Sequence, residues 1–425
     1  MTVIKQFFQY KLMLSVLLIT GALCSCDSGK KGERSISSMG TILSNQTLEE
    51  VISDADSIFD ISARDLVASY LYLIEIELSD TISLATDFND AISAFLLSPT
   101  LPGMDRVKNS WLLSHRKYQE SVLHHHVIKS LASDKQDSLL SLKMDQLDYQ
   151  INHWPIFPGY VDYLEGYPNS GVVSDINISI DKESIREQHG YFDLAEATTG
   201  FHVLEFLIWG ENISNTNPRP ISDYEEAFEL AADHIEIGLE ISEISNNRRR
   251  LLLPLVAQVL TDDLQELQSL LESNKYMWEN RLEKMSKAVI LDLLSDAITN
   301  MITDELLVKS LYPLLNDDFK GGIQSPYSHS TDNAVLAQLY GIEQLLRHVT
   351  NSNENTLEEI LAVTSDSFVF SFYSNLNASK ECLALLYATA QQINEPDAVV
   401  STEFEIVECI NFLNNMENSL NNMFL

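Results

Sequence analysis

Glycine and proline are scarce, 15 and 11 in a chain of 425 residues, and they cluster rather than recur. A sandwich or barrel needs a turn every ten residues or so, and this chain cannot supply them. Cysteine is scarcer still, at four, and no C-x-x-C or Cys/His zinc spacing occurs. Basic residues are outnumbered, 27 against 62 acids, for a formal charge of −35. Such a field repels nucleic acid and anionic headgroups and attracts cations. Several catalytic patterns are missing as well. There is no H-E-x-x-H, no E-x-x-H, no G-x-S-x-G, no Walker loop and no G-x-G-x-x-G. Zinc-protease helices, paired di-iron helices, nucleophile elbows and phosphate loops are thereby excluded.

Long apolar runs are also few. Leu12 to Ala22 follows Lys5 and Lys11, is too short to span a bilayer, and ends in Leu23-Cys24-Ser25-Cys26. This resembles a bacterial lipobox, with Leu23 at −3 and the small Ser25 before Cys26. Residues 1–25 read as a lipoprotein signal peptide and Cys26 as the lipidated residue, an acylated anchor to the membrane. Residues 26–47, rich in Ser, Gly and Lys, read as a flexible tether. Cys382 and Cys409 are either a disulfide or two buried thiols.

Helical periodicity dominates the remainder: 48–97 as one or two helices, 105–132, 135–151, 181–189 and 191–209. After a polar turn at 212–220, Ser222 and Glu225 have capping-box spacing, and helical patterns cover 223–244, 248–272 and 276–311. A Gly/Pro break at 317–326 precedes a helix to Val349, then 356–392 and 402–424. The expected architecture is all-α, in two tandem bundles, 48–215 and 216–425. One long irregular stretch interrupts the first: Trp154 to Gly171 holds three prolines, three glycines and three tyrosines. Loops of that kind are often functional.

Phe201 to Trp209 is apolar except at His202 and Glu205, which helical spacing puts on one side. A helix apolar nearly all round is buried, and a buried imidazole and carboxylate need partners. The pair suits two ligands of a divalent ion such as Zn, Fe or Cu, and equally a buried hydrogen-bonded couple or a narrow solvent-facing stripe. Gly200, read as helical, would cost about 1 kcal/mol against Ala. Its presence suggests close approach of another backbone, or a simple irregularity. His329 and Asp332 repeat the H-x-x-acid spacing at a helix start, where Ser and Asp are also ordinary caps. His124, His125 and His126 point 100° apart around a helix and cannot converge.

Four stretches in order resemble the imelysin-like family. Thr199 to Gly210 is similar to its G-x-H-x-x-E signature, on Gly200, His202 and Glu205. Asn217 to Tyr224 resembles its Arg-Pro-x-x-Asp-Tyr turn, Ile151 to Ile156 its Asn-x-Trp-Pro segment, and Ser325 to Thr331 its Ser-x-Tyr/Phe-Ser-x-x-Thr segment. Tyr118 and Ser121 fit a further Arg-x-x-Tyr-x-x-Ser-Glu pattern, but His115 stands at the arginine and Val122 at the acid. An acid often found before the Ser-x-Tyr-Ser segment is missing around residues 322–324.

The resemblance implies two related helical bundles with the signature in the groove between them. It implies a bacterial envelope location, at the outer membrane on its periplasmic or surface face, and a link to iron uptake and its other components. His202 and Glu205 are the expected ligands, for iron before zinc. Gly200, His329, Asp332, Ser325, Tyr118 and Trp154 are secondary candidates. The family was once classed as metallopeptidases, which would make Glu205 a general base on zinc-bound water. Lacking the second histidine of a zincin, the chain reads better as a binding protein than an enzyme. A third reading is a haem, siderophore or protein-binding module with a purely structural His–Glu clasp.

Overall fold

In a computed structural model the backbone is described for residues 42–131, 138–211, 218–236, 238–316, 318–348, 356–364, 366–390 and 399–421, with side chains for most of these from Ala68 onward. The signal peptide and Cys26 lie outside these residues. Contacts divide the chain into Met1–Ala55 and Asp56–Leu425. In the first, only the beginning of a helix is described; the second holds everything below.

The protein is all-α, with no β-strand among the described residues; a single bridge links Leu164 and Tyr167. The longer helices are α1 (Ile42–Leu97), α2 (Leu101–Leu131), α3 (Ser138–Asn152), α4 (Phe201–Trp209), α5 (Ser245–Leu282), α6 (Lys287–Met301), α7 (Thr331–Arg347), α8 (Leu357–Thr364), α9 (Asp366–Ala390) and α10 (Val399–Asn421). Helix α1 begins within the stretch expected as a tether. A π-helical segment, Ile302–Leu311, continues α6. No helix among the described residues is long and apolar enough to cross a membrane.

Helix α4 is the hub: all nine of its residues are buried. It packs against α2, α3, α5 and the short helix Pro158–Val161. Helix α2 packs on its other sides against α6 and α7. Elements from before and after residue 216 thus meet directly around α2 and α4. Toward the C-terminus α9 packs along α10, and Cys382 and Cys409 join them in a disulfide. That decides the alternative left open by the sequence.

Two expected helices are corrected. Helix α4 starts at Phe201 rather than near Tyr191. Gly200 precedes it at φ +96° and Gly190 lies at φ +68°, conformations that a right-handed helix does not contain. Residues 223–244 are mostly irregular, with only the 3-10 turns Ile221–Tyr224 and Ile241–Glu243 and a short helix Ala232–Glu236. The side chain of Ser222 makes no cap. Phe228 and Ile235 stay exposed, so no apolar face there drives a helix onto the core. Instead Asn247 bonds the backbone of Ala227, and Asn246 the carbonyls of Ser222 and Glu225.

Candidate functional site

Two glycines bound α4, and each is needed. A Cβ at Gly200 would sit 2.7 Å from the carbonyl oxygens of both Gln150 and Ile151, so only glycine lets the end of α3 come this close. Gly210, at φ +71°, closes the helix by donating its N–H to the Phe206 carbonyl at 2.8 Å. The close approach expected at Gly200 is present, but the residue caps the helix instead of lying within it.

The irregular stretch after α3 is latched beneath α4. Asp162 is fully buried and receives Arg249 through Nε at 2.6 Å and Nη2 at 3.0 Å, and Arg219 Nη1 at 2.8 Å. Arg219 also reaches Asp223, and its guanidinium lies over the rings of Tyr163 and Phe206. Tyr224 donates to the Leu207 carbonyl at 2.6 Å. Burial would raise the Asp162 carboxyl, but the two arginines outweigh it and hold the group below its ordinary value. The Arg-Pro-x-x-Asp-Tyr turn therefore braces the far end of α4.

On the helix, His202 Nδ1 lies 2.9 Å from Glu205 Oε2. Glu205 Oε1 accepts from the Tyr327 N–H at 3.0 Å and from the Ser328 N–H and Oγ, each at 2.7 Å. The Ser325–Ser330 turn delivers these donors. Ser325 N–H bonds Thr331 Oγ1, Ser328 Oγ contacts Ser330 Oγ, and His329 takes φ +55°. Burial lowers His202 to about 3 and raises Glu205 to about 8, the latter against the pull of its donors and of nearby His329. In this dry site the stable form at neutral pH is a carboxyl donating to a neutral imidazole. His202 Nε2 is then left buried without a hydrogen-bond partner.

Helix α2 packs beside the His202 ring. The His115 ring lies 5.1 Å from the His202 ring, nearly perpendicular, and stacks on Trp111 at 4.6 Å. His115 Nε2 is 3.3 Å from Asn152 Oδ1 and 3.0 Å from Gln119 Nε2. Gln119 also bonds Asn152, and Gln338 from α7 donates to Gln119. Burial, then the neighbouring His202, push the His115 imidazole well below its ordinary value, so it too is neutral. Asn152 opens on its other side to a cleft of about 360 Å³ lined by Asp148, His153, Trp154 and Lys309, among others.

The secondary candidates fall in different places. Trp154 lines this cleft, and Tyr118 donates to Asp148 at 2.9 Å at its edge. Ser325 is fully buried with its Oγ unpartnered. Asp332 is half-buried in the first turn of α7, and Glu205 takes its donors from Tyr327 and Ser328 instead. The three consecutive histidines are all buried and diverge as expected: His124 to Glu77 at 2.7 Å, His125 to Asp148 at 3.5 Å, His126 to Glu305 at 3.5 Å. Ser328 belongs to the Ser-x-Tyr-Ser-x-x-Thr segment noted in the sequence, whereas Gln119 and Gln338 had no signal of their own.

An ion would find a partial fit. Among the described residues no three His, Cys, Asp or Glu side chains lie close enough to hold a metal. His202 Nε2 can ligate only once it gives up its hydrogen, with the Glu205 proton passing to Nδ1. Glu205 is not free to ligate, because Oε1 already takes three bonds and Oε2 faces His202. The arrangement has the form of a carboxylate that orients a ligating imidazole from behind.

An all-helical fold built around a short buried helix, with a His–Glu pair gripped by a turn from a distant segment, defines a class of helical proteins. Within that class the chain belongs to the imelysin family, whose sequence model matches residues 78–398. No curated protein matches it. Its fold is similar to the crystal structure of an iron-regulated protein A precursor from Parabacteroides distasonis ATCC 8503. The TM-score is 0.54 at 12% identity, over 84% of this chain and 95% of that one.

Proposed function

We propose that this imelysin-family chain is a lipid-anchored protein of the bacterial cell envelope that binds a transition-metal ion at His202, iron before zinc, within an iron-uptake system. The observation that carries the reading is the His202 Nε2 atom, buried, unpartnered and backed by Glu205. A buried ring nitrogen without a partner costs roughly 1–3 kcal/mol, and a bound ion would recover it. Metal binding would also release a proton from the pair, leaving an ionised Glu205 facing His202 Nδ1–H.

Other features agree. The fold neighbour is an iron-regulated protein A precursor. The Cys382–Cys409 disulfide suits an oxidising compartment outside the cytoplasm, as does a lipobox at Cys26. The acidic surface suits cation capture and not nucleic acid. Other iron-uptake components would be its partners. No observation favours the peptidase reading: Glu205 is fully enclosed with both oxygens engaged, which poorly suits a base acting on water.

The test is calorimetric titration with Fe(II) and Zn(II), on the purified chain and on His202→Ala. Binding should be lost in the variant, and equal affinity in both proteins would refute the reading.

A further inference from the structure

We propose that the cleft at the end of α3 is a binding site for a neutral sugar, a pyranose ring seated on Trp154 with its hydroxyls held by Asp148, Asn152 and His153. This goes beyond the metal-binding reading and is separate from it, since His202 does not line the cleft. The cleft volume of about 360 Å³ lies at the small end of the range for small-ligand sites, roughly 300–1,000 Å³.

The polar groups come from one short stretch. Asp148 and Asn152 stand one turn apart on α3 and so line the same cleft. The chain then leaves the helix through His153 and Trp154, which line it too. Asp148 Oδ1 accepts from Tyr118 at 2.9 Å and lies 3.5 Å from His125 Nδ1, while Oδ2 takes no hydrogen bond among the described residues. Asn152 Oδ1 accepts from Gln119 at 3.1 Å, and the Asn152 amide N–H groups find no acceptor among the described residues. His153 makes no hydrogen bond among them either. Burial, then His202 and Lys309, hold it at about 4, so its neutral ring offers one donor and one acceptor. None of these unpaired atoms is sealed from solvent.

The charges favour a neutral ligand. Lys309 gives its ammonium to both oxygens of Glu305, at 2.8 and 2.9 Å, and Asp145 is met by Lys129 at 2.6 Å. Burial would raise the Asp148 carboxyl, but His125 and Lys309 outweigh it and keep it ionised. An ion of either sign would face a like charge here or break an existing pair. A hydroxyl both donates and accepts, so it can answer Asp148 Oδ2, the Asn152 N–H groups and the His153 ring without added charge. Trp154 supplies the other half of the fit. It is half-buried, makes no hydrogen bond and stacks on no other ring among the described residues. The C–H face of a pyranose rests on such an indole face, while the ring edge keeps its hydroxyls for the polar groups.

The probes are the methyl pyranosides of D-glucose, D-galactose, D-mannose and N-acetyl-D-glucosamine. They are titrated into the purified chain by calorimetry with tryptophan emission recorded, and with a chelator present so that metal binding plays no part. At least one should bind saturably and shift the emission. Trp154→Phe, which keeps an aromatic face, should retain binding and lose the emission shift. Trp154→Ala and Asp148→Asn should each bind at least about tenfold more weakly with an unchanged thermal midpoint, the latter keeping an acceptor for Tyr118. Should Trp154→Ala melt early, Asp148→Asn and the emission of Trp154→Phe decide. If no probe binds the wild type below about 20 mM, the inference fails. If a sugar binds and both Trp154→Ala and Asp148→Asn take it with wild-type affinity, it binds elsewhere and the inference fails too. Butylammonium and butyrate are the charged controls. Binding of either that depends on Trp154, with no sugar bound, makes the cleft an ion site and overturns the proposal.

Discussion

At the scale of single residues, Glu205 is the most consequential group. Its value in the fold, about 8, exceeds its unfolded value, so as pH rises the unfolded chain loses the proton first. The Glu205 contribution to stability is therefore full below about pH 4 and declines from there toward about pH 8. Glu205→Gln keeps an oxygen for the Ser328 donors and an N–H for His202 Nδ1, and removes the titration. We expect its thermal midpoint at neutral pH to equal or exceed the wild type, with the gap closing near pH 4. A variant that melts lower at both pH values would show that the carboxylate is ionised in the fold. Gly200 teaches a different lesson. The sequence placed it inside a helix that it in fact caps, though a close backbone approach was one of the two readings it offered. That the approaching groups are the carbonyls of Gln150 and Ile151 was not legible, because they are 49 and 50 residues away.

Among elements, some helix boundaries were legible and others were not: the break expected between 272 and 276 lies inside α5, and the real break at 283–286 falls within the helix expected over 276–311. The patterns at 105–132, 135–151 and 402–424 correspond to α2, α3 and α10 within a few residues. Residues 223–244 have enough helix formers to look helical but no contiguous buried face, and the side chains of Asn246 and Asn247 satisfy their backbone instead. The π-helical segment had no sequence signal. It places Glu305 against His126 and Lys309 along the cleft that Asp148 lines. The α9–α10 pair is closed by Cys382–Cys409 across a separation of 27 residues. Loop-closure entropy puts its removal at about 3–4 kcal/mol. We expect the Cys382→Ala/Cys409→Ala variant to lose an amount of that order in chemical denaturation. A loss below about 1 kcal/mol would mean that α9 and α10 hold together by packing alone.

For the whole molecule, pH pulls in two directions. A formal charge of −35 makes the compact state repel itself, and mild acid relieves that. Against it stand Glu77 and Glu305. Burial raises both, but His124 in one case and His126 with Lys309 in the other outweigh it, so both sit below their ordinary values. Asp148, held by His125, Lys309 and Tyr118, is lowered further. Groups depressed in the fold stabilise it above their unfolded values, near pH 4, and that contribution is lost as pH falls through their folded values. We expect thermal midpoints to peak between about pH 5 and 6 and to fall steeply below about pH 4. Glu77→Gln should be less stable than wild type by roughly 1–3 kcal/mol at neutral pH, with the difference shrinking in acid. A constant difference across the range would show that Glu77 does not titrate with folding.

The sequence by itself determined the all-helical class, the buried character of α4, the placement of His202 and Glu205 on one side of it and, through four ordered motifs, the family. These follow from local periodicity and spacing, which a helix converts directly into geometry. Only the tertiary structure decided what surrounds the pair. It brought Ser328 from 123 residues away to occupy Glu205, set the His115 ring of α2 beside that of His202, and joined Cys382 to Cys409. Those meetings depend on how helices distant in the chain cross one another. No pattern of period 3.6 within one helix encodes that.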